Sequence, residues 1–319
     1  MRIRWQLVLG MLVGLNLVTT AVAQNFPSRP IKFVVPFPPG GLVDTLARVV
    51  GDDLANELGQ PVVIDNRAGA ASKLGAQFAA KSDPDGYTLF LANGTTNGTL
   101  PVVDPAFDPV KDFLPVSTLT LTPFILAVSP ELGVNSLPEL IARAKAKPGE
   151  LNYATPGTGT AAHFAGEMLK SMAGIDIVHV PYRGLAPALT DLLSGRVHMT
   201  FDSTILELLK TGKLKAIGTT GLQRSPFAMD VPTLDEAGLK GYDVVGWAGI
   251  AVPAGTPREI VARLNAATKT TMAKPAVQNR LRDLGLVPAS SSPAEMAKLI
   301  DDSIARYRMI ATKNNLKFD

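Results

Sequence analysis

The chemistry open to this sequence is bounded first by what it lacks. Cysteine is absent, which excludes disulfides, thiolate metal sites and a cysteine nucleophile. The only histidines, His163, His179 and His198, stand at no spacing that suits a shared metal. No G-x-S-x-G, H-E-x-x-H or G-x-x-x-x-G-K-[ST] occurs, so no nucleophile elbow, zinc-protease helix or P-loop is encoded. An enzyme built on this chain would have to use Asp44, His163 or Asp202 as acid or base. What the sequence offers instead is loops of glycine and hydroxyl residues. Pro36-Phe37-Pro38-Pro39-Gly40-Gly41 precedes Asp44, Asn93-Gly94-Thr95-Thr96-Asn97 is rich in hydroxyl and amide donors, and Thr155-Pro156-Gly157-Thr158-Gly159-Thr160 runs on to His163. A Gly- and Thr-rich turn at a helix start presents free backbone N–H groups and the positive end of the helix dipole, so it suits an anion. Gly157 to Ala162 also fits G-x-G-x-x-A, with Asp176 downstream. Asp176, however, begins its strand, where a ribose-binding acid should end one, which argues against a dinucleotide.

These loops need strands before them and helices after them, and the pattern supplies both. Ile31 to Pro36 reads as a buried strand, followed by a helix with Leu42, Leu46, Val49, Val50, Leu54 and Leu58 at helical spacing and Gly59 at its end. Pro61 to Asp65 is a strand, Ser72 to Ala80 a helix and Tyr87 to Ala92 a strand. This βαβαβ order predicts a mainly parallel sheet. Asn93 to Asp112 is irregular, and Leu114 to Ser129 is β-rich. A second series follows, with strands at Leu151 to Thr155, Ile175 to Val180, Val197 to Asp202 and Leu214 to Thr219, and helices at Leu137 to Lys147, Ala161 to Ala173 and Pro187 to Ser194. Trp247 to Val252 is one more strand, and three helices, the first opened by Pro257, finish the chain. Two α/β series joined by two crossings, near Thr120 to Phe124 and Gly218 to Leu222, predict two lobes with a cleft between them. The expected division is 24–122 with 221–319 in one lobe and 123–220 in the other. In open parallel sheets ligands sit beyond the C-terminal strand ends. The three loops, Tyr182-Arg183-Gly184 and Asp202 all fall at such ends. Arg183 is the one base near them, open to a ligand carboxylate or to an ion pair.

Composition agrees with an exported globular chain. The 319 residues are 46% hydrophobic and 18% charged, with a net charge of +3. Arg2 and Arg4 precede the apolar stretch Leu7 to Val18, and Ala21-Val22-Ala23 is a small-x-small site before Gln24. As a helix that stretch spans about 18 Å, short of a roughly 30 Å hydrocarbon core. Residues 1–23 are therefore expected to be a signal peptide cleaved after Ala23, with a bacterial periplasm as destination. The remainder is nearly neutral and lacks a basic run, which gives no sign of nucleic-acid binding.

The same loops carry a resemblance. The chain resembles the periplasmic solute-binding proteins of tripartite tricarboxylate transporters, the Bug family. The shared motifs run in order through Pro27-Ser28-Arg29-Pro30-Ile31, Val35 to Gly41 with Asp44, Asp65-Asn66-Arg67-Ala68-Gly69-Ala70 and Pro84-Asp85-Gly86-Tyr87-Thr88-Leu89. They continue through Asp108 to Phe113, Leu151-Asn152-Tyr153, Gly157 to Thr160 with His163, and His179 to Gly184. Asp230-Val231-Pro232-Thr233, Trp247 with Gly249, and Pro253 to Pro257 complete the set. Two stretches, Ala68 to Lys73 and Leu100 to Asp104, depart from the family's usual pattern. The resemblance implies a type II periplasmic-binding-protein fold and no cofactor. It implies capture of a small organic carboxylate by a monomer, and delivery to the membrane permease subunits of a transporter. A sensor kinase is the alternative recipient. Carried over residue by residue, Phe37, Gly40, Gly41 and Asp44 line one side of the pocket, with Thr95 and Thr96 nearby. Thr155, Thr158, Gly159, Thr160 and His163 face them, and Tyr182, Ala186 and Asp202 close the distal end. The family accepts di- and tricarboxylates, amino acids, nicotinate-like acids and aromatic dicarboxylates.

Overall fold

The computed structural model describes residues 26–70, 72–104 and 108–316. The export segment expected at 1–23 lies outside the described residues. The elements in chain order are β1 (Ile31–Val35), α1 (Leu42–Leu58), β2 (Val62–Asn66), α2 (Lys73–Ala80), β3 (Thr88–Asn93), α3 (Leu100–Val103), α4 (Pro109–Asp112), β4 (Phe113–Pro123) and β5 (Ile125–Val128). They continue as α5 (Leu137–Ala146), β6 (Asn152–Thr155), α6 (Ala161–Ala173), β7 (Val178–Pro181), α7 (Leu185–Leu193), β8 (Met199–Asp202), α8 (Leu206–Lys210) and β9 (Lys215–Thr219). The last are β10 (Val245–Pro253), α9 (Arg258–Ala273), α10 (Pro275–Asp283) and α11 (Pro293–Lys313).

The strands form two five-stranded sheets, ordered β2-β1-β3-β10-β4 and β7-β6-β8-β5-β9. Each is parallel except for one reversed strand in fourth place. β10 runs antiparallel to β3 and β4, and β5 runs antiparallel to β8 and β9. The reversed strands are the two that arrive from the other lobe. β4 leads through Phe124 into β5, and β9 leads back to β10. Each sheet packs helices over its own core. Phe33, Leu54, Leu91 and Ile250 centre the first, and Tyr153, Phe164, Phe201 and Tyr242 centre the second.

The crossings are tied to one another. Phe124 N–H donates to the Thr220 hydroxyl at 2.9 Å, and that hydroxyl donates to the Val244 carbonyl at 2.6 Å. Thr220 is fully buried, so these bonds have no competition from water. The segment after β9, expected in the first lobe, places Leu234, Leu239, Tyr242 and Val244 in the second core. The final helix was also expected to return to the first lobe. It spans both, with Met296, Ile300 and Ile304 in a first-lobe cluster and Tyr307 and Ile310 in the second core. The stretch from Asn93 to Asp112, which reads as irregular, contains a π-helical turn at Gly94–Thr99 and the short α3 and α4. Gly94, Gly98 and Pro101 hide that helix from a periodicity reading. Its start is fixed by Asn93, whose side chain accepts from the Thr95 and Thr96 N–H groups.

Candidate functional site

The two sheets aim two helix N-termini at one space. β1 ends in the Pro36–Gly41 loop and α1; β6 ends in the Pro156–Thr160 loop and α6. Between them lies a cavity of about 420 Å³, lined by Leu42 and Val43 from α1 and by Thr160, Ala161 and Ala162 from α6. A second chamber of about 500 Å³ shares Phe37, Thr95, Pro156 and Thr160 with it and extends toward Gly69, Leu100 and Thr158. The first backbone bonds inside these helices are Thr45 N–H to Gly41 O and Phe164 N–H to Thr160 O. The earlier N–H groups of Leu42, Val43, Ala161 and Ala162 thus have no partner within their helices and belong to cavity-lining residues.

Both loops are held from beneath. Gly41 caps α1 in an extended conformation without a side-chain bond, and Gly40 at φ +83 occupies the left-handed region that suits glycine. Asp44 does not line either chamber. It is buried, accepts Gly40 N–H at 2.8 Å and Arg48 Nε–H at 2.9 Å on Oδ2, and accepts Asn66 Nδ2–H at 2.8 Å on Oδ1. The Arg48 guanidinium is the main reason its pKa falls to about 2, with Gly40 and Asn66 adding to the effect. Asp44 therefore fastens the loop.

On the opposite side, the Thr160 hydroxyl accepts His163 N–H and caps α6. His163 is also turned inward, and its Nδ1 accepts Gly159 N–H at 3.1 Å. Its ring stacks on His179 with centroids 3.9 Å apart, and His179 Nε2 lies 2.7 Å from the Thr155 hydroxyl. Burial lowers the pKa of His163 to about 4 and, with the neighbouring ring, that of His179 to about 3. Both rings are neutral at pH 7, as an Nδ1 acceptor requires. Tyr153 and Glu167 back this pair, with Tyr153 O–H donating to Glu167 Oε1 at 2.7 Å.

The remaining expected residues divide. Phe37, Thr95, Thr158, Gly159, Thr160 and Asp202 line the chambers. Thr96 is buried and bonded to Ser72 and Asn93, and Thr155 is buried behind its loop. Tyr182 donates to Asp191 at 2.7 Å, and burial together with that carboxylate pushes its pKa up to about 12. Ala186 is exposed on α7. Neither of these last two lines a chamber, although Gly184 does. Asp202 accepts both the N–H and the hydroxyl of Thr204 at 2.6 Å on Oδ1, and burial raises its pKa. Sequence reasoning missed Leu42, Val43, Ala161 and Ala162, because it looked at loop side chains; the helix-start rule itself points to the first two amides. It also missed the walls Phe124, Phe201, Trp247 and Leu286. The two stretches that depart from the family pattern meet at this site. Lys73 pairs with Asp104, and Gly69, Ser72, Leu100 and Val103 line the second chamber.

Among the described residues lining the two chambers there is no lysine or arginine, and Asp202 is the only ionisable one. Among the described residues no group of three or more His, Asp or Glu could hold a metal, and no helix is long and apolar enough to cross a membrane. The arrangement can hold an anion by backbone N–H groups and helix dipoles inside mainly apolar walls.

Comparison with known proteins agrees with this geometry. The family model described as tripartite tricarboxylate transporter family receptor matches residues 46–316. Protein BugT of Bordetella pertussis is 33% identical over 315 residues, covering 96% of this chain and 97% of that protein. The solved structure of Rpa4515 of R. palustris with adipate is 35% identical, covers 92% of this chain and 99% of that one, and has a TM-score of 0.81. MatC (Rpa3494) from Rhodopseudomonas palustris with bound malate is 36% identical, covers 89% and 99%, and has a TM-score of 0.76.

Proposed function

Since this chain belongs to the tripartite tricarboxylate transporter receptor family, we propose that it is an exported, periplasmic receptor that captures a small organic carboxylate and hands it unaltered to the permease subunits of a membrane transporter. The observation that carries this reading is the pair of helix N-termini, one from each lobe, opening on a cavity with no lysine or arginine among the described residues of its lining. Free N–H groups aimed at one space from two sides are suited to a planar carboxylate. Charge-assisted bonds of this kind are the strong ones. The carboxylate bridges α1 and α6, so it gains most when the lobes are together and shifts the population toward closure. We place the pivot at the two crossings, Phe124 and the step from Val244 to β10, where Thr220 joins them. The walls Leu46, Phe124, Phe201 and Leu286 suit a solute with an apolar body.

The test is titration of the purified protein with a panel of carboxylates, including adipate, malate, benzoate and glutamate, followed by calorimetry and by melting temperature. A ligand that binds the folded state alone raises the melting temperature by mass action. A saturable response with the acid recovered intact is the expected result. Binding with chemical conversion of the acid would refute the receptor reading, and silence across the panel in both readouts would refute the carboxylate one.

A further inference from the structure

Five buried side-chain atoms among the described residues have no hydrogen-bond partner, on Asn97, Thr219, Trp247 and Thr271. Of these residues only Trp247 lines a chamber. Trp247 is 4% exposed, lies on β10 opposite Leu121 of β4, and borders the first chamber beside Gly94. Its Nε1 is the heavy atom nearest to where a Cβ at Gly94 would stand, 3.5 Å away. Glycine at 94 brings no side chain against the indole N–H, and the nitrogen itself is closed to water in this structure. Three polar groups that line the chamber with it are matched within the protein. Asn93 serves Thr95 and Thr96, the Thr122 hydroxyl accepts Val287 N–H, and Asp202 serves Thr204. An indole N–H donates only, so nothing but an acceptor can satisfy it. Buried donors left unpaired are rare and costly.

We propose that the Trp247 Nε1–H is a ligand-binding donor that takes an oxygen of the bound solute, and that it selects for solutes carrying an acceptor at that point of the cleft. The proposal rests on the carboxylate-receptor reading and adds a contact that the two helix N-termini do not provide. A solute matching the helix ends but offering carbon to the indole leaves the N–H unsatisfied and binds less tightly.

The experiment compares the wild type with W247F, using whichever acid of the panel (adipate, malate, benzoate, glutamate) binds the wild type most tightly. Phenylalanine keeps an aromatic ring in the wall and removes the donor. The affinity for that acid is expected to fall about tenfold, equal to about 1.4 kcal/mol. In parallel, the indole N–H proton of the wild type is followed by NMR, its resonance told from that of Trp5 by its loss in W247F. On saturation it is expected to move downfield and to gain protection from solvent exchange, a response that ring shape alone would not produce. Should W247F fail to fold, this signal in the wild type decides. Equal affinity in folded W247F overturns the proposal, as does an indole resonance that saturation leaves in place, since a trapped water would then be its partner. A wild type that binds no acid of the panel refutes the carboxylate reading itself, and the proposal falls with it.

Discussion

Replacing Ala161 by proline removes one backbone N–H from the cleft and little else. Ala161 is the first residue of α6, and its N–H makes no helical bond, since Phe164 N–H is the first to close a turn, on Thr160 O at 3.1 Å. Proline is favoured at that position because its missing donor is not used there. Thr160 before it sits at φ −77 and ψ 160, the extended region that a following proline requires. Helix and cap should therefore survive, and restriction of the unfolded chain should leave stability unchanged or up to about 1 kcal/mol higher. The lost bond is a donor to a charged acceptor, worth about 1.5–3 kcal/mol. Affinity for the best carboxylate of the panel should accordingly fall roughly 10- to 150-fold. Calorimetric titration of wild type, A161P and the donor-keeping control A161G measures this, and denaturant unfolding of each confirms that the fold persists. A folded A161P that binds like the wild type would show that α6 does not hold the anion, and the two-helix account of the cleft would fail.

Asp44→Ala should lower stability by about 2 kcal/mol at pH 7, because it strands the Gly40 N–H and Asn66 amide that the carboxylate holds. The sign with pH follows from its depressed pKa, about 2 against an ordinary 3.8. The contribution is complete above about pH 4 and is lost as pH falls through about 2, so acid unfolding of D44A should lack that step. The histidine pair acts in a higher window. His163 and His179 fall from 6.5 to about 4 and about 3, so their contribution is present above about pH 6.5 and declines as pH drops toward 4. Glu167 and Lys170 face the pair and are unchanged in H179F, whose unfolding free energy should vary less between pH 6.5 and 4 than that of the wild type. Gly166→Ala should cost about 3 kcal/mol, since its Cβ would stand 2.1 Å from Cε2 of buried Tyr153. A denaturant midpoint close to the wild-type value would contradict that packing.

How far the sequence reveals the molecule depends on whether a feature is local. α1 and α6 are legible to the residue, because apolar spacing and the terminal Gly59 and Gly174 bound them. The loops between strand and helix are legible for the same reason. The reversed placement of β10 is not, since its neighbours β3 and β4 are more than a hundred residues away in the chain. Side-chain direction is also outside local reach. Asp44 and His163 stand where a ligand residue would, and the structure turns both away from the chambers, Asp44 onto Arg48 and Asn66 and His163 onto His179. Trp247 is legible as part of a strand, but its unpaired N–H exists only once the fold has withheld every partner.

The inward residues also make the two halves of the cleft electrically unequal. Beneath the α1 loop lies a carboxylate in the first helical turn, which offsets part of the positive end of that helix. Arg48 returns some of that charge, but it lies on the exposed face of α1, half in solvent, where screening weakens it. Beneath the α6 loop lies a neutral imidazole, and α6 has no acidic residue in its first turn. The positive end of α6 is thus the less compensated of the two. An anion entering the cavity should be held more firmly from the second lobe, with α1 completing the grip as the lobes meet. The rigidity of the Gly159 loop then matters more than that of Gly40. A buried, uncharged acceptor such as His163 suits that place, because it orders the loop without drawing on the positive field of the α6 N-terminus.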